Sequence, residues 1–535
     1  MTAHVRRSTP ARRRAREVAG IAAATAAIVL GASGAAHAAS SRPDAAAAPA
    51  TAAATKTKAK ALPVPGNAEI FSWIKDLTAH GYRRTGTPAG RRAAEYMVRR
   101  FKQFGLRDAH IETVRSYAWE AKRWGLKVGA TPIDAFPVAH SFRGPGKTAV
   151  GTFSTGAKGR TAPLVDVGSG TAAEFAKADV RGKVVMFDMR FLALPLSIFQ
   201  VASEFYWDPD LTMKPTDVLD QPYLSNFADF ANRAVAAGAV GFVGVLADYF
   251  DSNRYFNEDY RRAQVTIPGM WITRAKGVAV REALKADPAA SATITLEGRR
   301  RAVTGRTAIG FLPGRSRETV LVQSHHDSVW DGAVEDGSGS AEVLALAKHF
   351  GSRPASSRAR TLMFTTFDTH FTGYQAHQAF LERYIAKPRG GRRIVANVAL
   401  EHIAKRATVA GSGKLAVSSM PEPRGVLQNT GPKVRALLKD AIVKNDLRRM
   451  AILPAAIFGG AGIPTDASFT YYSGVPVLSL ISGPMYLYDR QDTLDKVVKT
   501  DLHPMARAFA SVIEGLDDVP TGEIGDGVPI KQGTR

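Results

Sequence analysis

Four apolar runs in the C-terminal half of this chain each end in groups able to bind a metal or move a proton. They are "HHD" (325–327) after "TVLVQS", "DTH" (368–370) after "TLMFTTF", "EH" (401–402) after "IVANVAL", and "MYLYDRQD" (485–492) after "VPVLSLI". Imidazoles and carboxylates are the ligands zinc-class ions accept when thiolates are absent, and both serve as proton carriers. The chain has no cysteine, which excludes disulfides, Cys-ligated zinc and a thiol nucleophile. One His or Asp beyond a strand is an ordinary turn residue; four such endings predict a shared site. Another acidic pair, Glu335-Asp336 in "GAVEDGSGS", precedes a helix that Asp336 or Ser338 can cap, beside the "HHD" ending.

These endings converge only if the runs are strands of one sheet. From residue 305 strand and helix alternate: "RETVLVQS", helix "SAEVLALAKHF", "TLMFTTF", helix "YQAHQAFLERYI", "RRIVANVAL", "VPVLSLI", helix "HPMARAFASVIEGL". The pattern predicts an α/β fold, a mixed and mostly parallel sheet flanked by helices, with ligands bound beyond the carboxyl ends of the strands. Upstream, "TPAGRRAAEYMVRRFKQFGL" reads as an amphipathic helix with Thr87 as N-cap, Pro88 at the first position and Gly105 as the stop, and "NAEIFSWIKDLTAHG" reads similarly. From 160 to 298 the texture changes to short β runs and turns, with "FANRAVAAGAVGFVGVL" (230–246) read as helical, which predicts a separate β-rich module. Its aromatic and acidic stretch at 189–266 offers either a lid or plain surface loops.

The first 38 residues join "RRSTPARRRAR" to a small-residue apolar run and Ala36-His37-Ala38, the pattern of a signal peptide cleaved near Ala38 and of a secreted product with no membrane span after cleavage. Residues 39–64 are Ala, Thr, Pro and Lys and predict a disordered linker. Net charge is +23, and removing six leader arginines and Glu17 leaves +18, which suits either association with anionic cell-surface material or an Arg-rich solvated surface. No aromatic-interleaved basic repeat marks a nucleic-acid partner.

The segment "SHHDSVWDGAVEDGSGSAEVLALAKHF" resembles the M28 zinc peptidases, secreted bacterial aminopeptidases among them, and the resemblance extends through "RRTGTPAGRRAAEYMVRRFKQFGL" and "YLYDRQDTLDKV". Through "DVRGKVVMFD", "AVAAGAVGFVGV" and "IPGMWIT" the module at 160–298 resembles the protease-associated (PA) domain. The resemblance implies a discontinuous peptidase domain (65–159 and 299–517), the inserted PA-like domain (160–298) and a C-terminal tail (518–535). It carries the family's first histidine onto His325, its supporting aspartate onto Asp327, its bridging aspartate onto Glu335 and a later aspartate onto Glu401. The family's Glu-Glu pair falls on His370-Phe371 and its late histidine on Tyr488, with Asp489 adjacent, so the private ligands of a second ion are missing.

The resemblance thus implies a reduced site with one divalent metal, zinc, on His325, Glu335 and Glu401, and hydrolysis of peptide or protein substrates in the aminopeptidase manner. His370 is left as base, as metal ligand, or as an inert hydrogen-bonding group, with Asp327 in support. Alternation along the strands turns His326 and His402 away, and structural roles are expected for both and for His377. The rival reading is an inactive peptidase-fold binding protein; a single-zinc acyl-transfer enzyme such as a glutaminyl cyclase ranks last.

Overall fold

The computed structural model describes residues 63–144, 150–258, 265–461 and 463–526, so the expected signal peptide, nearly all of the linker and the end of the tail lie outside it. The chain enters through helices α1 (Asn67–Thr78) and α2 (Pro88–Gln103). The start of α2 matches its sequence signature: Thr87 Oγ1 accepts the Gly90 N–H at 3.1 Å and Pro88 fills the first position. Beyond it, β1 (Arg107–Val128) is a 22-residue strand whose antiparallel partner is the equally long Ser291–Leu312.

Between these two long strands lies the module. Its elements are β2 (Arg160–Asp166), β3 (Val184–Met189), β4 (Val218–Ser225), α3 (Phe227–Ala236), β5 (Gly241–Leu246) and β6 (Gly269–Thr273). Strands β2, β3, β5 and β6 pair in parallel in that order. The single helix expected over 230–246 is corrected here: α3 ends before Gly238, whose φ of 82° breaks the helix, and "GFVGVL" forms β5, buried at every position. A run buried on both faces has no period to read, so its apolar residues fit strand and helix equally.

The returning strand is β7 (Ser291–Leu312), which pairs with β2 near its start and with Thr361–Phe367 at its end. The boundary drawn at 298/299 therefore falls inside a continuous strand. The remaining elements are β8 (Glu318–His325), α4 (Gly339–Gly351), β9 (Thr361–Phe367), α5 (Gln375–Phe380), β10 (Arg393–Leu400), β11 (Arg424–Gln428), α6 (Pro432–Lys444), β12 (Met450–Pro454), β13 (Val477–Ser482) and α7 (Leu502–Leu516). The sheet order is β7-β9-β8-β10-β13-β11-β12, parallel across β9, β8, β10 and β13. This is the mixed, mostly parallel, helix-flanked sheet the alternation predicts. Helices α1, α4 and α7 pack on one another over one face, and the central strands are buried on both. Among the described residues no helix is long and apolar enough to cross a membrane.

Glu342, in the first turn of α4, is fully buried, and neither carboxylate oxygen has a hydrogen-bond partner. Burial, then the charge of Asp501, pushes its pKa well above the usual 4.5. The native chain thus retains a proton there that the unfolded chain releases. The resulting stability is complete below pH 4.5 and is lost as pH rises through the raised native value. Replacing Glu342 with leucine is expected to stabilise the protein by about 1–3 kcal/mol at pH 8 and by less at pH 5; circular-dichroism melts at the two pH values check this, and equal shifts would contradict it.

Candidate metal and catalytic site

The carboxyl ends of β8, β9 and β10 open onto one buried cluster. His325 closes β8, His370 follows β9, and Glu335 lies in the turn before α4. The backbone of that turn is held from two sides. Asp492 accepts the N–H groups of Val334 and Glu335, each at 2.8 Å. Fully buried Arg83 donates to the carbonyls of His326, Asp331 and Gly332 at 2.7–2.8 Å. Asp336 accepts the Gly339 N–H at 3.1 Å and caps α4. A Cβ at Gly339 would lie 2.1 Å from the Leu400 carbonyl oxygen, so only glycine lets α4 begin against the end of β10.

Within the cluster His325 Nε2 lies 3.2 Å from Glu335 Oε1, and His370 Nε2 lies 3.7 Å from the same oxygen. The two imidazoles stack with centroids 4.0 Å apart. These three residues form the only group of three or more His or carboxylate side chains, among the described residues, whose ligand atoms all lie within 4.8 Å of one another. Their neighbours fix which nitrogen is free. His325 Nδ1 donates to the Asp327 carbonyl at 3.1 Å, with the Asp327 carboxylate 3.4 Å away, and Asp466 Oδ1 takes His370 Nδ1 at 2.9 Å. Both Nε2 atoms are thereby left facing Glu335.

The expected residues thus divide. His325, Glu335 and His370 come together, with Asp327 beside His325 as the resemblance implies. The Glu401 carboxylate instead accepts the Asp466 N–H at 3.1 Å and pairs with no described histidine. Phe371 packs edge-on to Tyr488, whose hydroxyl is hydrogen-bonded to Glu258, and Asp489 turns away to Ser252. His326 faces away as alternation predicts, bonded to Thr366, and its burial lowers its pKa to about 4. His402 does not. Its φ of 61° takes it out of the strand, Nδ1 donates to the Ser482 carbonyl at 2.7 Å, and Nε2 contacts Glu335 Oε2.

Three residues carry no signal in the sequence reading. Asp466, in "GGAGIPTDAS", follows no apolar run, yet it joins His370 to His377, whose Nε2 is 3.0 Å from Oδ2. Glu258 arrives from the module and lies 3.6 Å from His370 Nε2. Tyr374 donates to Glu258 at 2.6 Å. A cluster of two acids each gripped by aromatic-bordered histidines or phenols has no fixed spacing to search for.

The electrostatics follow from burial. Desolvation works against the Glu335 carboxylate, but His402 and His325 outweigh it and hold its pKa below the usual range. Desolvation likewise works against a charged His402, and Glu335 raises that imidazole to about 9. Glu401, buried and beside Asp466, rises to about 8. Exchanging Arg83 for methionine strands three backbone carbonyls, two of them in buried contacts, and is expected to cost about 3 kcal/mol in urea unfolding; an unchanged midpoint would show that the turn holds its shape without the clamp.

The profile of Peptidase family M28 matches residues 308–513. Among solved structures, the chain is similar to an aminopeptidase from Aneurinibacillus sp. strain AM-1, at 17% identity over 88% of this chain and 97% of that one, TM-score 0.57. It is similar to a peptidase M28 precursor from Shewanella amazonensis SB2B, at 18% identity over 83% and 92%, TM-score 0.61. A third likeness is to BSAP, a zinc aminopeptidase from Bacillus subtilis, at 18% identity over 87% and 100%, TM-score 0.57. At such identities these likenesses show the fold. No curated protein matches the chain. The strand ends, capped turn and helix start all lie inside the matched span, so over residues 308–513 the chain is similar to peptidase family M28.

Proposed function

We propose that the protein is an exported metallopeptidase of aminopeptidase type, working with a single zinc-class ion held by His325, Glu335 and His370. The observation that carries the metal is convergence: one ligand atom each from His325, Glu335 and His370, all buried, lies within 4.8 Å of the others. Bonds of about 2.1 Å at tetrahedral angles space ligand atoms roughly 3.4 Å apart. The separations of 3.2 and 3.7 Å fit that span. Two imidazoles, one carboxylate and an open position make a zinc donor set. The family-model match over residues 308–513 supports peptide or protein substrates, the N-terminal pattern through Ala38 supports export, and the charge of +18 after leader removal supports attraction to anionic cell-surface material.

When bound, such an ion supplies Lewis acidity for a peptide carbonyl and for water. The chain's own groups do the rest. Asp466 and the Asp327 carbonyl fix the tautomers of His370 and His325. His402 sets a positive partner against the second oxygen of Glu335. Phe371, Phe256 and Trp330 form an aromatic wall beside the cluster. In this reading His370 is a ligand, and Glu401 supports the loop that carries Asp466.

A binding protein without catalysis is the second reading, and one observation favours it: the three ligands are only 0–5% exposed, so a substrate must displace part of the wall. Metal analysis of the purified protein together with a mixed peptide library separates the two. The expected result is about one ion per chain, with ion and cleavage lost together in His325→Ala. Protein purified without metal and not activated by zinc would sink the peptidase reading. Asp466→Asn, which frees the His370 ring, is expected to weaken metal affinity about 10–100-fold in a chelator competition; an unchanged affinity would remove His370 from the ligand set.

A further inference from the structure

Assigning His370 to the metal leaves the hydrolysis without a proton acceptor, and most acids near the cluster are already committed. Asp466 is shared between two imidazoles. Asp336 caps α4 and accepts from Ser324. Asp368 accepts the Arg306 and Thr369 N–H groups and the Thr85 hydroxyl. Glu401 accepts the Asp466 N–H and pairs with no described histidine. Among the described residues only two carboxylates reach within 4 Å of His370 Nε2: Glu335, which is a ligand in this reading, and Glu258.

Glu258 lies outside the span matched to the family, in the module segment Ser252–Glu258, and that segment is seated firmly. Phe256 N–H donates to the Tyr488 carbonyl at 2.9 Å, the Asn257 side chain donates to the Ala139 carbonyl at 2.9 Å, and the Phe256 ring packs edge-on to both Phe371 and Trp330. The carboxylate itself is oriented by two phenols. Tyr488 donates to Oε1 and Tyr374 donates to Oε2, with Tyr374 also 3.4 Å from His370 Nε2. A carboxylate oxygen has about two acceptor positions, so each keeps one after its phenol is served. Oε1 lies 3.6 Å from His370 Nε2, one of the three ligand atoms that converge.

We propose that Glu258 is the general base of the hydrolysis, a catalytic carboxylate that the inserted module delivers to the peptidase site. The inference rests on the peptidase reading above. As the oxygen of the attacking water bonds to the carbonyl carbon, its proton passes to Glu258 Oε1. The same proton then passes to the departing amine nitrogen as the C–N bond breaks. Glu258 ends as it began, and each peptide bond consumes one water. Tyr374 and Tyr488 are positioning residues that hold the carboxylate in line.

The test uses the full chain, zinc-loaded, with Glu258→Gln and Glu258→Ala assayed below the melting midpoints of both. Glu258→Gln is expected to lower kcat about 10²–10⁴-fold, with zinc per chain as in the wild type and KM within about threefold. Added formate is expected to restore part of the Glu258→Ala rate by acting as an external carboxylate. A Gln variant that keeps kcat within about threefold overturns the assignment, and so does one that loses its zinc, which would make Glu258 a ligand. Formate that fails to raise the Ala rate also counts against a proton-accepting role. If the zinc-loaded wild type cleaves no peptide, the peptidase reading falls and takes this assignment with it; active wild type with an active Gln variant removes Glu258 alone.

Discussion

The interaction on which the rest of the structure depends is the burial of the Glu335 carboxylate among imidazoles. Glu335 is 1% exposed and has His325, His370 and His402 around it. An isolated carboxylate in such a place is prohibitively costly, so the surroundings must supply positive charge, either as protons on the imidazoles or as a metal ion in their place. Protons and metal compete for the same Nε2 atoms, and the hydrogen bonds on the Nδ1 side are compatible with both states. The geometry around Glu335 is thus set before any ion arrives.

Holding that geometry requires the chain to turn sharply where the strands end. Thr369 and His402, just beyond β9 and β10, both adopt left-handed backbone with φ of 73° and 61°. Each such position costs of order 1 kcal/mol or more for a residue with a Cβ. The turns redirect His370 and His402 toward Glu335 instead of letting alternation carry them to opposite faces. The parallel strands β8, β9 and β10, buried on both faces, provide the rigid base against which this strain is maintained. Arg83 and Asp492 then anchor the Glu335 turn through backbone groups.

What could be read in advance follows from the same physics. The strands announced themselves because each is a short apolar run with polar groups at its end, and "HHD" and "GAVEDGSGS" placed His325, Asp327 and Glu335 correctly relative to the sheet. Alternation fails at His402 because it holds only while the strand continues, and the left-handed turn at that residue is invisible in "ALEHIA". Strand β5 hid in a helical reading because a two-sided burial pattern carries no period. Asp466 and Glu258 were out of reach for a different reason: both stand on loops, and their proximity to His370 is created by packing between distant segments.

The replacements at Phe371 and Tyr488 bear on whether this site is a relic. A site freed from function gains stability by exchanging buried charge for apolar side chains of similar volume. Here the cluster retains its buried carboxylates and imidazoles and backbone strain at two strand ends. The altered residues are themselves built into the arrangement: the Tyr488 hydroxyl holds Glu258, and the Phe371 ring packs between Tyr488 and Phe256. Buried charge and backbone strain gathered at one set of strand ends are what a functional site imposes on its scaffold. Phe371 and Tyr488 therefore belong to the packing and hydrogen bonding that seat Glu258 beside His370.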